Sequence, residues 1–157
     1  MYGRLVIFGM MAYAGDDASA ERALAPFRQI ATPIADLVKP MPYVGMYPPE
    51  DPNYRPRAVS RTMFLDALDQ RRAETVFDWL SASDAGMRAA QLRVLGGAAA
   101  RVRADATAYA HRSKAMLVNV AAFYQADAER EARRAWVSNW LLEPENPWTK
   151  MTGRPLA

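Results

Sequence analysis

The sequence predicts an α+β fold: an antiparallel β-sheet with helices packed on one face. Three observations point there. Apolar or alternating runs of strand length recur along the chain, most clearly over residues 57–66 and 115–124. Three other segments carry the three-and-four spacing of amphipathic helices. The order runs strand, helix, loop, strand, helix, several strands, helix, which suits helices layered on an antiparallel sheet. The 157 residues match one domain, read as 1–143 with an irregular tail over 144–157. A chain of this length buries about 68–70% of its unfolded surface, so it folds without a disulfide or a metal.

Residues 4–14 read as a strand, apolar on both faces. Arg4, the run Leu5 to Met11 and Ala12-Tyr13-Ala14 imitate a short signal peptide. A single arginine is a poor charged region, so the strand is preferred, and the run falls short of the about 20 apolar residues that span a bilayer. Gly15 to Asp17 turn the chain. Ala20, Leu24, Phe27, Ile30 and Ala31 define a helix over 18–31, with Asp16 and Asp17 at its favourable end and Thr32-Pro33 closing it. Residues 33–57 are broken by Pro33, Pro40, Pro42, Pro48, Pro49, Pro52 and Pro56. That stretch also carries Met41, Tyr43, Val44, Met46, Tyr47 and Tyr54, so it is a lid, a pocket wall or a loop pinned by its apolar side chains.

The next strand, 57–66, alternates Ala58, Ser60, Thr62 and Phe64 against Val59, Arg61, Met63 and Leu65. Asp66 opens a helix to Ser81 with Ala73, Val76, Phe77 and Leu80 on its apolar face. Ser83 to Gly86 turn, and 90–97 is a strand ending at Gly96-Gly97. Residues 106–110 read as a short strand and 115–124 as a longer one. A last helix, 127–142, buries Trp136, Val137, Trp140 and Leu141. A doubled β-α-β unit is compatible with this order, although no sequence repeat marks it.

Composition removes several function classes. The chain has no cysteine, which rules out disulfides, thiolate chemistry and Cys-ligated metals and fits a cytoplasmic setting. Its net charge of +3 comes from scattered arginines without a basic run, so neither nucleic acid nor a membrane is an expected partner. One histidine and dispersed carboxylates make neither a transition-metal cluster nor a nucleophile–base–acid triad.

The lone histidine, His111, is the candidate catalytic group. A neutral imidazole hydrogen-bonds a substrate hydroxyl or acts as a base, and Arg112 disfavours the charged form if the two side chains converge. The alternative is a histidine that satisfies backbone groups between strands. Tyr43, Tyr47 and Tyr109 line a small-molecule pocket or belong to the core. Gly96 and Gly97 lack the G-x-G-x-x-G pattern and a following helix, and read as a strand end where backbone passes close to something. Arg101 and Arg103 alternate as on a solvent face. Asp36 and Asp66 suit loop hydrogen bonding and helix capping.

Four stretches together resemble the substrate domain of berberine-bridge-enzyme-like, FAD-linked oxidoreductases. They are Ala14-Gly15-Asp16 with Glu21 to Phe27, Pro33 to Tyr43, Gly96 to Arg112, and Met116 to Val120. The likeness runs from about residue 3 to residue 143. It implies a ferredoxin-like sheet of the FAD-linked oxidase substrate-domain type. It also implies a domain that roofs a flavin ring bound by a partner domain, while an alcohol or amine substrate gives a hydride to the flavin and oxygen reoxidises it. It places Gly96, Gly97 and Arg101 in the ligand region, with Tyr109, His111 and Arg112 close to the pocket. Arg101 stands where some members carry a glutamate base. The flavin domain and the family's closing strand are expected to be missing here. The expected partners are then a small-molecule ligand, a second copy, or a separate flavin-domain polypeptide, with no FAD held by this chain alone.

Overall fold

Alternation in two strands decides the core. In β1 (Arg57–Leu65) the odd-numbered side chains Val59, Met63 and Leu65 point to one side, and in β3 (Met116–Tyr124) Val118, Val120 and Ala122 do the same. The structure, a computed structural model, describes residues 3–47, 49 and 51–142, with the backbone alone for Leu141 and Leu142. These fall into two units, one formed by Gly3–Leu5 with the residues from 55 onward, the other by residues 6–54.

The larger unit holds a three-stranded antiparallel sheet in the order β1-β3-β2, with β2 spanning Arg88–Val94. Met63 lies opposite Val118 and Arg61 opposite Val120, while Ala90 meets Val120 from the other side. Both β1 and β2 are antiparallel to β3, so they run parallel to each other. Helix α2 (Gln70–Ala82) is the crossover between them. A one-turn helix, α3 (Gly97–Ala100), follows β2, and α4 (Arg130–Leu142) follows β3 after a 3-10 turn at Asp127–Glu129.

Both long helices of this unit cover the same sheet face. Trp140 of α4 sits fully buried among Met63, Leu65, Val118 and Val120, and Val76 and Trp79 of α2 pack on that cluster. Val137 extends the core to Ala85 and Ala122. Trp79 and Trp136 stack between the helices with ring centres 6.0 Å apart. Arg133, nearly buried, pairs with Asp84 and approaches Glu129 at 3.6 Å. The fold class expected from the sequence, α+β with an antiparallel sheet, is the one present.

The smaller unit contains α1 (Asp17–Arg28), capped by Asp16 through a 2.8 Å hydrogen bond from the Ser19 amide. A 3-10 turn follows at Tyr43–Met46. Asp36 accepts from the Val38 amide and from Arg28, the loop bonding expected of it.

Several expectations need correcting. Residues 5–14 carry no strand, because strand sequence becomes strand structure only when a neighbour takes its backbone groups. Residues 106–110 are turn and irregular chain. Asp66 does not open α2: its carboxylate holds Lys114 at 3.0 Å, and Asp69 is the cap, accepting from the Arg72 amide at 2.8 Å. Arg101 and Arg103 lie past α3 and not on a strand, and Arg103 pairs with Asp105. Arg61 faces the helices, donating to Ser138 Oγ at 3.2 Å. The expected tail, 144–157, and the expected burial of the Leu141 side chain lie outside the described residues.

Candidate ligand-binding site

The sheet face opposite α2 and α4 carries small and polar side chains. Its cross-strand rows are Ser60, Ala121 and Ala89, then Thr62, Asn119 and Gln91, then Phe64, Leu117 and Arg93. Asn119 donates through Nδ2 to Thr62 Oγ1 at 2.8 Å, and Arg93 donates to Gln91 Oε1 at 3.1 Å. Ser60, Thr62, Gln91 and Arg93 are exposed. Phe64, with Leu117 beside it, makes the apolar end of this face, and its ring needs a partner to shield it.

His111 supplies that partner. Its imidazole stacks on Phe64, with centroids 3.8 Å apart and planes 13° from parallel. Tyr109 stands edge-on to both rings, 5.9 Å from His111 and 6.4 Å from Phe64, and remains 40% exposed. The chain is pinned around this cluster by backbone bonds. The Lys114 amide donates to the His111 carbonyl at 3.2 Å, and the Ala115 amide to the Leu65 carbonyl at 2.9 Å. The Lys114–Asp66 ion pair ties the same corner to the end of β1.

The imidazole nitrogens of His111 have no hydrogen-bond partner among the described residues, and the ring is exposed. It therefore does not serve as a structural bridge between strands. Arg112 reaches α3 and Tyr109. Its guanidinium donates to the Ala99 carbonyl at 3.1 Å and lies over the Tyr109 ring at 5.5 Å, a cation–π distance. Arg112 thus links α3 to the Tyr109 ring.

Gly96 has φ 135° and Gly97 φ 58°, both in the region that favours glycine. A Cβ at either would meet no protein atom within 4 Å, and the backbone conformation by itself already calls for glycine. The pair opens the one-turn α3, a following helix that the sequence did not suggest. Arg101 is exposed at the end of that turn.

Within the smaller unit, Tyr43 and Tyr47 form a pair of their own: hydroxyls 3.1 Å apart, rings edge-on at 5.8 Å. The fold thus assembles Tyr109, His111 and Arg112 in one unit and Tyr43 with Tyr47 in the other. Sequence reasoning missed Phe64, Thr62, Gln91 and Asn119 as members of the site. The alternation of 57–66 already put Thr62 and Phe64 on one side. A large aromatic on the side otherwise holding Ala58, Ser60 and Thr62 was the available signal.

A shallow hollow lined by Gly3, Arg4, Leu5, Phe77, Ser81 and Arg88 lies at the start of β2. Since Arg88 pairs with Ala122 and Leu65 with Met116, that hollow and the aromatic cluster sit at opposite ends of β3. Among the described residues no group of three or more His, Asp or Glu side chains is placed to hold a metal, and no helix is long and apolar enough to cross a membrane. No protein-family model matches the chain, and no curated protein matches it.

Proposed function

We propose that this chain is a small-molecule-binding domain resembling the substrate domain of berberine-bridge-enzyme-like, FAD-linked oxidoreductases. In this reading its polar sheet face roofs a planar ligand. The observation that carries it is His111: an exposed imidazole held flat on Phe64, edge-on to Tyr109, with its nitrogens left for a ligand. Aromatic walls with a few convergent polar groups are the usual make-up of a small-molecule site. The adjoining Thr62–Asn119–Gln91 row supplies further donors and acceptors.

The element order β1-α2-β2-β3-α4 with sheet order β1-β3-β2 supports the ferredoxin-like reading, since it follows the first five elements of that β-α-β-β-α-β arrangement. The residues do not fit a tightly held FAD of the chain's own. The glycine pair leads into only four helical residues, too short a helix to set a diphosphate on its N-terminus. A flavin therefore belongs, in this reading, to a separate flavin-binding domain, and this chain is not redox-active alone. The substrate is an alcohol or amine whose polar group faces His111. The cysteine-free composition supports a cytoplasmic location.

The test uses the fact that the chain has one histidine. Its imidazole gives a single Hε1 resonance, which should shift saturably when a planar aromatic alcohol is added and stay fixed with an aliphatic alcohol of similar size. Purified protein carrying stoichiometric yellow flavin would overturn the reading. A second reading, a subunit that docks on a flavin-domain polypeptide, is favoured by the exposed Ile30, Ile34, Leu37 and Val44 of the smaller unit. Co-purification of a flavoprotein from the native cell would support it, and a chain recovered without one would oppose it. A third, cofactor-free proton transfer with His111 as base, requires His111→Ala to abolish turnover.

A further inference from the structure

We infer that the molecule taken by the polar sheet face is an anion: a planar aromatic carboxylate whose acid group is held by Arg93 while its ring lies over Leu117, a claim that rests on reading Phe64, Tyr109 and His111 as a small-molecule site.

Strand register sets the placement. Phe64 of β1, Leu117 of β3 and Arg93 of β2 form one cross-strand row. Neighbouring strands lie about 4.8 Å apart, so the Arg93 Cα stands about 10 Å from that of Phe64. One aromatic ring fills that gap over Leu117, its edge against the Phe64–His111 stack, and a carboxyl group on its far side meets the guanidinium. Arg93 is the one charged side chain in the rows Ser60–Ala121–Ala89, Thr62–Asn119–Gln91 and Phe64–Leu117–Arg93. Its bond among the described residues runs from Nη2 to the neutral Gln91 Oε1 at 3.1 Å. That contact steadies the side chain and leaves most of its N–H donors to a ligand. The planar guanidinium fork matches a carboxylate through two parallel hydrogen bonds.

Charge points the same way. Between residues 91 and 117, which enclose Tyr109 and His111, the chain carries five basic residues, Arg93, Arg101, Arg103, Arg112 and Lys114, against the single acid Asp105. This excess is larger than the net charge of the whole chain, +3, so the remainder is net negative. Asp105 is taken by Arg103, and Lys114 is taken by Asp66 just past β1. Arg93, Arg101 and Arg112 pair with no carboxylate of the described residues in the sheet unit. Arg112 lays its charge over the Tyr109 ring. Cations left without counter-ions beside an aromatic wall give a positive local field that draws in an anion. A single guanidinium at ring distance suits the one charge and flat shape of a carboxylate better than a phosphate.

The test follows the His111 Hε1 signal of the full chain at fixed pH while 4-(hydroxymethyl)benzoate or its methyl ester is added. The two probes share the ring and the alcohol and differ in charge. The acid should bind more tightly than the ester by about tenfold or more, and the gap should narrow as salt is raised from about 0.02 M to about 0.3 M. Arg93→Gln should bring the acid down to the affinity of the ester. Arg71→Gln removes the same charge from α2, in the layer on the other side of the sheet, and should leave the preference in place. Equal affinities for acid and ester would overturn the inference while leaving the aromatic site standing. A preference that survives Arg93→Gln, or that Arg71→Gln abolishes as well, would overturn the assignment to Arg93. Benzyl phosphate bound more tightly than the acid would overturn the choice of a carboxylate. A signal that neither probe moves would refute the ligand site itself, and the inference with it.

Discussion

Replacing Phe64 with alanine tests the geometry on which the ligand site depends. Phe64 contributes two ring pairs, the stack on His111 and the edge contact with Tyr109. Aromatic pairs are worth about 0.5–1.5 kcal/mol each beyond area burial, and both partners here are exposed, so the low end applies and the two sum to about 1 kcal/mol. The Phe64 side chain is half-buried, so roughly half of the about 1.5–3 kcal/mol for a fully buried apolar side chain is also lost, about 1 kcal/mol more. Phe64→Ala should therefore destabilise by about 2 kcal/mol, which for a chain of this size lowers Tm by about 4–8 °C. Proton NMR gives the more specific reading. A proton over a stacked ring is shifted upfield, so the His111 imidazole signal should move downfield in the variant. Affinity for a planar ligand should fall about fivefold to tenfold, since about 1.4 kcal/mol is tenfold. A His111 signal that stays in place in a folded Phe64→Ala protein would show that the imidazole is not on that ring.

Other outcomes follow from single residues. Gly96→Ala should cost about 1–3 kcal/mol in urea unfolding although its new methyl group meets no atom within 4 Å, because φ 135° with ψ −145° is accessible essentially to glycine alone; a neutral result would mean that the turn relaxes. Trp140→Ala, at a position with 0% exposure between α4 and the sheet, should cost about 3–5 kcal/mol and leave little folded protein at 37 °C by circular dichroism. The Asp84 carboxyl is held below its ordinary value near 3.8 by the hydrogen bond from Arg133 and then by that residue's charge. Ionised Asp84 therefore stabilises the fold fully above about pH 4, and this contribution is lost as the pH falls through the lower folded value. Thermal melts between pH 5 and pH 2 should thus fall more steeply for the unmodified chain than for Asp84→Asn, with a modest difference because Asp84 is exposed. Superimposable profiles would remove the pair as a source of acid sensitivity.

Elements whose stability comes from a one-sided apolar pattern were legible at once. The alternation of 57–66 gave β1 (Arg57–Leu65) within a residue, and 115–124 gave β3 (Met116–Tyr124) equally well. Helix α4 followed from Trp136, Val137 and Trp140, all at least half-buried. Boundaries were harder where two residues compete for one role. Asp66 and Asp69 are both plausible caps, and only the position of Lys114, 48 residues along the chain from Asp66, draws one of them away. Residues 4–14 show the opposite limit, since their pattern states a wish for neighbours but does not name them.

The candidate site divides in the same way. Residue types determined, from the sequence by itself, that this is an α+β chain without thiol chemistry, with one imidazole and, elsewhere, a proline-broken segment rich in tyrosine. Only tertiary structure decided that His111 lies on Phe64, 47 residues away, that Arg112 turns to Tyr109 and Ala99, and that Tyr43 and Tyr47 pair with each other. The physical reason is range. Periodicity and capping act within a few residues and are written locally. Ring stacking and strand register depend on which distant segments β3 brings side by side, and no local pattern encodes that.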